Sequence, residues 1–268
     1  FTCSTHDYVM FFTTRGRTYR LKGYEVPEGS RNSKGMNIVN LLPLEAGEKV
    51  SAMIRVPEYD PDAFLCMVTR KGTSLDAYRN VRKNGVIAIN LDDDDELAWV
   101  RLTSGNDDLL IATRKGMGIR FNENDARPLG RTARGVKAIE LREGDEVVGM
   151  EVLDDAKAVL TVSTTGYGRR SEPSDYRLQS RGGKGTINYR TYGDVAAIAV
   201  VDESEDVIFI SSDGIIIRIP VSQISTFARP SKGVRVMRVS EGEQLVTVAC
   251  TPSEEDQEKP EETAAEEV

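Results

Sequence analysis

One histidine, His6, serves all 268 residues. No Ser/His/Asp or Cys/His catalytic set can be assembled around a single imidazole beside the N-terminus, and no HExxH or Walker-type sequence occurs. Cys3, Cys66 and Cys250 are odd in number and far apart, with no CxxC or Cys/His ligand spacing. A metal site is therefore not expected, and the thiols suit a reducing cytoplasm. No apolar run approaches the ~18 residues of a membrane span and no signal-peptide pattern opens the chain, so a soluble, cytoplasmic protein is expected. Helical periodicity is weak throughout, which leaves an all-β chain. The carboxylates Asp92 to Asp95 are consecutive rather than spaced like a calcium loop, so they read as a solvated turn.

The net charge of −8 is unevenly placed. Between Pro252 and Val268 eight carboxylates face one lysine, leaving about −1 on the preceding 251 residues despite their 34 lysines and arginines. The bulk charge is uninformative; its distribution decides. Residues 252–268 lack a hydrophobic pattern and are expected to form a disordered acidic tail on a domain spanning 1–251.

What is present is a repeat. Gly35, Gly85, Gly135, Gly185 and Gly233, at steps of 50, 50, 50 and 48, each close a short polar or basic box. The boxes are Ser30–Gly35, Arg79–Gly85, Gly130–Gly135, Gln179–Gly185 and Ala228–Gly233. Ahead of each, a β-branched run ends in a turn glycine (Gly16, Gly72, Gly116, Gly166, Gly214) and reads as a strand entering a hairpin. Two further strands are expected after each box, such as 136–141 and 147–152, joined by an acidic turn. Four short strands per ~50 residues mark a propeller-like blade. Five repeats follow, at about 8–56, 64–103, 108–153, 158–201 and 206–250.

The cations recur in register. Four residues after the turn glycine stand Arg20, Arg120, Arg170 and Arg218, with Asp76 breaking the rule in the second repeat. Strand alternation would place these arginines on one outward face of each blade. The boxes add Arg31, Lys34, Arg82, Lys83, Arg131, Arg134, Arg181, Lys184, Arg229 and Lys232, and Arg15, Arg17 and Arg169 complete the candidate set. Charged, solvated loops are the plain explanation for any one of them. Their recurrence favours a periodic anionic partner, the phosphate backbone of duplex DNA, which basic loops and glycine N–H groups bind without reading bases. Few aromatics lie at the boxes, which argues against stacking on single strands. Box substitutions such as Arg181→Ala are expected to leave stability almost unchanged.

Thr5-His6-Asp7, Arg15-Gly16-Arg17, Gly23-Tyr24-Glu25-Val26-Pro27 and Asn40-Leu41-Leu42-Pro43-Leu44 together resemble the C-terminal domain of the bacterial DNA gyrase A subunit, over essentially the whole chain. The resemblance implies a β-pinwheel, a propeller-like fold whose blades exchange strands, wrapping duplex DNA on a basic outer surface. It also implies a parent type IIA topoisomerase, an A2B2 assembly with gyrase B that uses ATP and Mg, whose catalytic tyrosine lies upstream. The family's box, Gln-Arg-Arg-Gly-Gly-Lys-Gly, has a near copy at Gln179, Ser180, Arg181, Gly182, Gly183, Lys184 and Gly185. In the family that box opens the first of six blades, whereas here it falls in the fourth of five repeats. Residues 1–7 accordingly read as the end of a missing blade. The alternatives are a protein-binding propeller and the equivalent topoisomerase IV subunit.

Overall fold

The structure, a computed structural model, describes residues 3–30, 32–56, 64–78, 86–126, 133–190 and 193–253, with backbone only at 74–78. Arg31, Arg82, Lys83, Arg131 and most of the acidic tail lie outside the described residues. The chain is all-β, a propeller-like β-pinwheel of repeated small antiparallel sheets. It divides into two compact bodies. One comprises residues 1–113, 117–152 and 177–186, and the other residues 114–116, 153–176 and 187–268.

The strands fall into five groups. They are β1 (Tyr8–Thr13), β2 (Arg17–Lys22) and β3 (Val50–Val56); then β4 (Phe64–Thr69), β5 (Thr73–Tyr78), β6 (Val86–Ile87) and β7 (Leu97–Thr103). Next come β8 (Asp108–Thr113), β9 (Met117–Asn122), β10 (Val136–Lys137) and β11 (Val147–Val152), followed by β12 (Ala158–Ser163), β13 (Tyr167–Ser171), β14 (Thr186–Ile187) and β15 (Val195–Val201). Last are β16 (Glu205–Ser211), β17 (Ile216–Pro220), β18 (Val234–Arg235) and β19 (Leu245–Pro252). The sheet orders are β3-β1-β2-β6, β10-β5-β4-β7, β11-β8-β9-β14, β15-β12-β13-β18 and β17-β16-β19.

These orders correct the expected strand after the last four boxes. It is two residues long, not six, and it belongs to the preceding sheet: β6, from the second repeat, completes the first sheet, and β10, β14 and β18 do likewise. Past those two residues the chain crosses the hairpin turn of that sheet. There the N–H of Ala88, Ala138, Asn188 and Val236 donates to the carbonyl of the turn glycine at 2.8–3.0 Å.

The central strands β1, β4, β8, β12 and β16 are each flanked on both sides within their sheets, and the first four are buried at five of their six positions. In the first body, Met10, Phe12, Leu65, Met67, Ile89 and Leu97 form one core, and Leu109, Ile111, Phe121, Ile139 and Met150 another. In the second, Leu160, Val162, Val207, Phe209, Val221 and Met237 do the same. Full burial of each such side chain contributes roughly 1.5–3 kcal/mol.

Every central strand ends in a buried hydroxyl three residues before the turn glycine: Thr13, Thr69, Thr113, Ser163 and Ser211. In four blades its oxygen accepts the N–H four residues on, at 3.1–3.3 Å, closing the hairpin. Gly116 shows why the turn needs glycine. Its φ is +83°, and a Cβ would meet the Tyr189 carbonyl oxygen at 2.1 Å.

Candidate nucleic-acid interface

The Gln179–Gly185 box is held by its backbone before it offers any charge. The Gln179 N–H donates to Arg120 O at 2.9 Å, the Gly182 N–H to Ala138 O at 2.7 Å, and Gly183 O accepts from Glu140 N at 2.9 Å. Gly185, at φ +68°, lies so close to Gly118 O that a Cβ would sit 2.4 Å from it. Glycine here fastens the box to the preceding sheet.

The box arginines serve the same end. Arg181 donates from Nε to Asp125 O at 2.7 Å and from Nη1 to Lys137 O at 3.0 Å. Arg229 repeats the geometry, donating to Asp175 O at 2.8 Å and Ile187 O at 2.9 Å, with its guanidinium 4.9 Å from the centre of the Tyr176 ring. Each clamps a short 3-10 turn to an exchanged strand. Arg181, a candidate phosphate contact, thus also bonds two backbone carbonyls.

The arginines four residues past the turn glycine are also engaged. Arg120 pairs with Asp108 at 2.7 Å and Arg218 with Asp206 at 2.7 Å. Both carboxylates lie near the start of the adjacent central strand, on the same face and diagonally across the ladder. In the first blade Tyr8 holds that position, and Arg20 lies 4.3 Å from its ring centre. Arg170 is buried, bonded to Ile224 O and paired with Glu203. Alternation placed these residues on one face, but that face carries its own acidic partners.

Arg169 departs furthest from expectation, since it is wholly buried. It stands three residues past its turn glycine, where the core-facing Tyr19 and Ile119 sit in other blades. Its guanidinium donates to Ser231 O at 3.2 Å, Ser171 Oγ at 2.6 Å, and the backbone and side-chain oxygens of Asn188. Arg15 and Arg17 both pair with Glu45 of the acidic turn, and Arg134 with Asp92 at 3.2 Å.

The cations left facing solvent are fewer. Lys34 and Lys184 are exposed, with no carboxylate partner among the described residues. Lys232 places its Nζ 3.8 Å from the centre of the Tyr167 ring. Arg235 donates to the Tyr167 hydroxyl at 2.8 Å. That bond, with Lys232 beside it, holds the phenol below the usual tyrosine range. Sequence reading missed Tyr167 and Arg235, as well as the exposed Lys137, Arg177 and Arg238. Some of these do recur in register, Lys137 with Arg235 two residues past the box glycine and Arg238 with Arg190 five past it, but in two repeats only, a weaker signal than the boxes. The chemistry on offer is anion binding by mobile ammonium and guanidinium groups on a rigid glycine-rich backbone.

Comparison with known proteins bears directly on this arrangement. The family model described as DNA gyrase C-terminal domain, beta-propeller, matches residues 7–57, 64–104, 107–154, 157–202 and 205–252. The DNA gyrase A subunit of Staphylococcus epidermidis (strain ATCC 12228 / FDA PCI 1200) is 48% identical over 266 residues, covering 95% of this chain and 30% of that protein. The DNA gyrase A subunit of Staphylococcus aureus (strain MRSA252) is 47% identical over 272 residues, covering 97% of this chain and 31% of that protein. The chain thus spans about 30% of the length of these relatives. Among solved structures, a DNA gyrase A C-terminal domain superposes with a TM-score of 0.81 at 26% identity, covering 92% of this chain and 83% of that one. The C-terminal domain of DNA topoisomerase IV gives 0.83 at 23% identity, covering 92% and 80%, a likeness of fold. With five consecutive matches spread along its whole folded length, the chain belongs to the DNA gyrase C-terminal domain family.

Proposed function

We propose that this chain binds duplex DNA without sequence preference, bends it, and is the DNA-wrapping domain of a gyrase A subunit. One observation carries the reading: the Gln179–Gly185 box is anchored by main-chain bonds and a clamping arginine, while its Lys184 is left to solvent. Rigid anchoring keeps the cation in place, and lysine as a point charge binds phosphate without demanding a base. Bending a site of 20–30 base pairs by 40–90° costs on the order of 1–6 kcal/mol, which several such contacts together offset.

The bent segment would be presented to the rest of the enzyme for strand passage, biasing the crossing toward negative supercoiling. The partners in this reading are duplex DNA, the B subunit, with which it forms an A2B2 assembly, and the remainder of its own polypeptide, all in the bacterial cytoplasm. Strand cleavage and the ATP and Mg chemistry belong to other parts of that enzyme. The topoisomerase IV alternative rests on a likeness of fold at 23% identity, against 48% to gyrase A relatives, and is not favoured.

Ligating nicked circular DNA in the presence of the chain tests wrapping apart from binding. A shift in linking number that grows with protein concentration supports it. Binding that leaves the linking number unchanged refutes wrapping by this domain alone.

A further inference from the structure

The fourth sheet brings two cations to one phenol. Arg235, on β18, pairs in the ladder with Tyr167, on β13, and donates from Nη2 to its hydroxyl at 2.8 Å. Lys232 reaches the same residue from the last box, its Nζ 3.8 Å from the ring centre, and the Arg235 guanidinium carbon lies 5.3 Å from that centre. One residue past the turn glycine, where Tyr167 stands, the preceding three repeats have Arg17, Thr73 and Met117. Two residues past the box glycine, where Arg235 stands, the boxes that complete the first three sheets are followed by Ile87, Lys137 and Ile187. An aromatic ring and a cation share this rung in the fourth sheet and in none of the first three.

Both cations stand on anchored backbone. The carbonyl before Lys232 accepts from the buried Arg169 at 3.2 Å, and the Lys232 carbonyl accepts from the hydroxyl of the buried Tyr189 at 3.0 Å. Gly233, at φ +77°, lies so close to Gly168 O that a Cβ would sit 2.1 Å from it. Arg235 is exposed and Lys232 half-buried, so both are open to a ligand from solvent. Two like charges held at one phenol repel, and an anion between them relieves that repulsion. The phenol reports the same field, since Arg235 foremost and then Lys232 hold it below the usual tyrosine range. Arg235 contributes a planar fork of N–H donors and Lys232 a compact point charge, a pair suited to the several oxygens of a phosphate.

We propose that Lys232 and Arg235, set by Tyr167, form a seat for a single phosphate, and that a backbone phosphate of duplex DNA occupies it. The seat rests on the reading that this chain binds duplex DNA, and it extends that binding to a strand pair outside the boxes. Tyr167 is a positioning residue: its hydroxyl aims the guanidinium and its ring carries the ammonium.

Duplex titrations across salt count the phosphates. Lys232→Ala and Arg235→Ala should each flatten the slope of log K against log salt by no more than about 1, and the double variant by about 1 in total. A loss of about 2 in the double variant would place the cations on separate phosphates and overturn the single seat. Tyr167→Phe keeps both charges, so binding should weaken about threefold to tenfold with the slope and the melting temperature unchanged. Unchanged affinity would overturn the role given to Tyr167. An NMR titration of the wild type, following the Arg235 Nε–H and the Tyr167 ring signals, separates the sources of phosphate and does not depend on how a variant folds. Shifts of both signals that saturate with a short duplex support the seat. Shifts with inorganic phosphate in a chain that binds no duplex would keep the seat and refute the DNA reading. Duplex binding that moves neither signal, with the double variant at wild-type affinity, overturns the seat and leaves the DNA reading standing.

Discussion

Arg169 and Ser231 are joined by a bond of 3.2 Å from a guanidinium with no solvent exposure to a carbonyl inside the last basic box. Among the described residues no carboxylate pairs with this cation: its other acceptors are Ser171 and Asn188, and Tyr189 presents its ring at 5.9 Å. Burying a charge is costly unless it is fully hydrogen-bonded, so this network holds the box only as long as it is complete.

Replacing Arg169 with Ala orphans several buried acceptors and leaves a void. A loss of about 3–5 kcal/mol in urea-unfolding free energy is expected, and Arg169→Lys should recover little of it, since an ammonium cannot reproduce the planar fork. A change below about 0.5 kcal/mol would place Arg169 outside the fold's supports.

The clamping arginines predict a split within one box. Arg229→Ala should destabilise by about 1–3 kcal/mol, because two half-buried carbonyls lose their donor, and Arg181→Ala by less, since its site is more open. Lys184→Ala should alter stability by no more than about 0.5 kcal/mol yet reduce the salt slope of DNA binding by about 1. Equal stability losses at Arg181 and Lys184 would remove the distinction between clamp and phosphate contact.

Glu45 neutralises Arg15 and Arg17 at exposed positions. Glu45→Ala frees both cations, and exposed pairs contribute only about 0–1 kcal/mol, so the fold should tolerate it. Tighter duplex binding at low salt is expected. Unchanged affinity would mean that this hairpin lies away from the bound DNA.

Asp7 accepts the Ser4 N–H at 2.7 Å and the Arg55 Nε at 2.7 Å. The Ser4 bond foremost, then Arg55, holds its carboxyl below the usual range against the opposing effect of burial. The stabilisation is complete above the unfolded carboxylate's pKa and is lost as pH falls through the lower folded value. Asp7→Asn should therefore melt below the wild type near pH 7 and converge with it well below about pH 4. A gap that persists in acid would trace the effect to shape instead of charge.

Much of the fold was legible because it rests on short-range rules. The turn glycines demand positive φ, and the β-branched runs before them must be buried, so five hairpins could be located from residue type and spacing. Ownership of the strand after each box was not legible, because β10 pairs with β5 of the preceding sheet through tertiary geometry that no local pattern encodes. The candidate site was readable only as a set of cations. Whether an arginine is free depends on the residue across the ladder, and Asp108 and Asp206 lie 12 residues from the arginines they bind. Arg169 was misplaced because a cation at a core position runs against the preference on which burial is read from sequence.

The acidic tail, from Pro252 onward, carries eight carboxylates tethered to the domain. Deleting it should tighten DNA binding most at low salt, where the Debye length reaches about 30 Å at 0.01 M. A scrambled tail of the same composition should restore the weaker binding. Affinity unchanged by deletion would leave the tail without influence on this domain.

The salt dependence of duplex binding tests the central claim most directly. With the engaged arginines set aside, about five to ten phosphate contacts remain available, giving a slope of log K against log salt of about −4 to −9. Titrations at several salt concentrations, on two duplexes of unrelated sequence, should give the same steep slope for both. A slope near zero, or a strong preference for one sequence, would contradict electrostatic binding of the DNA backbone.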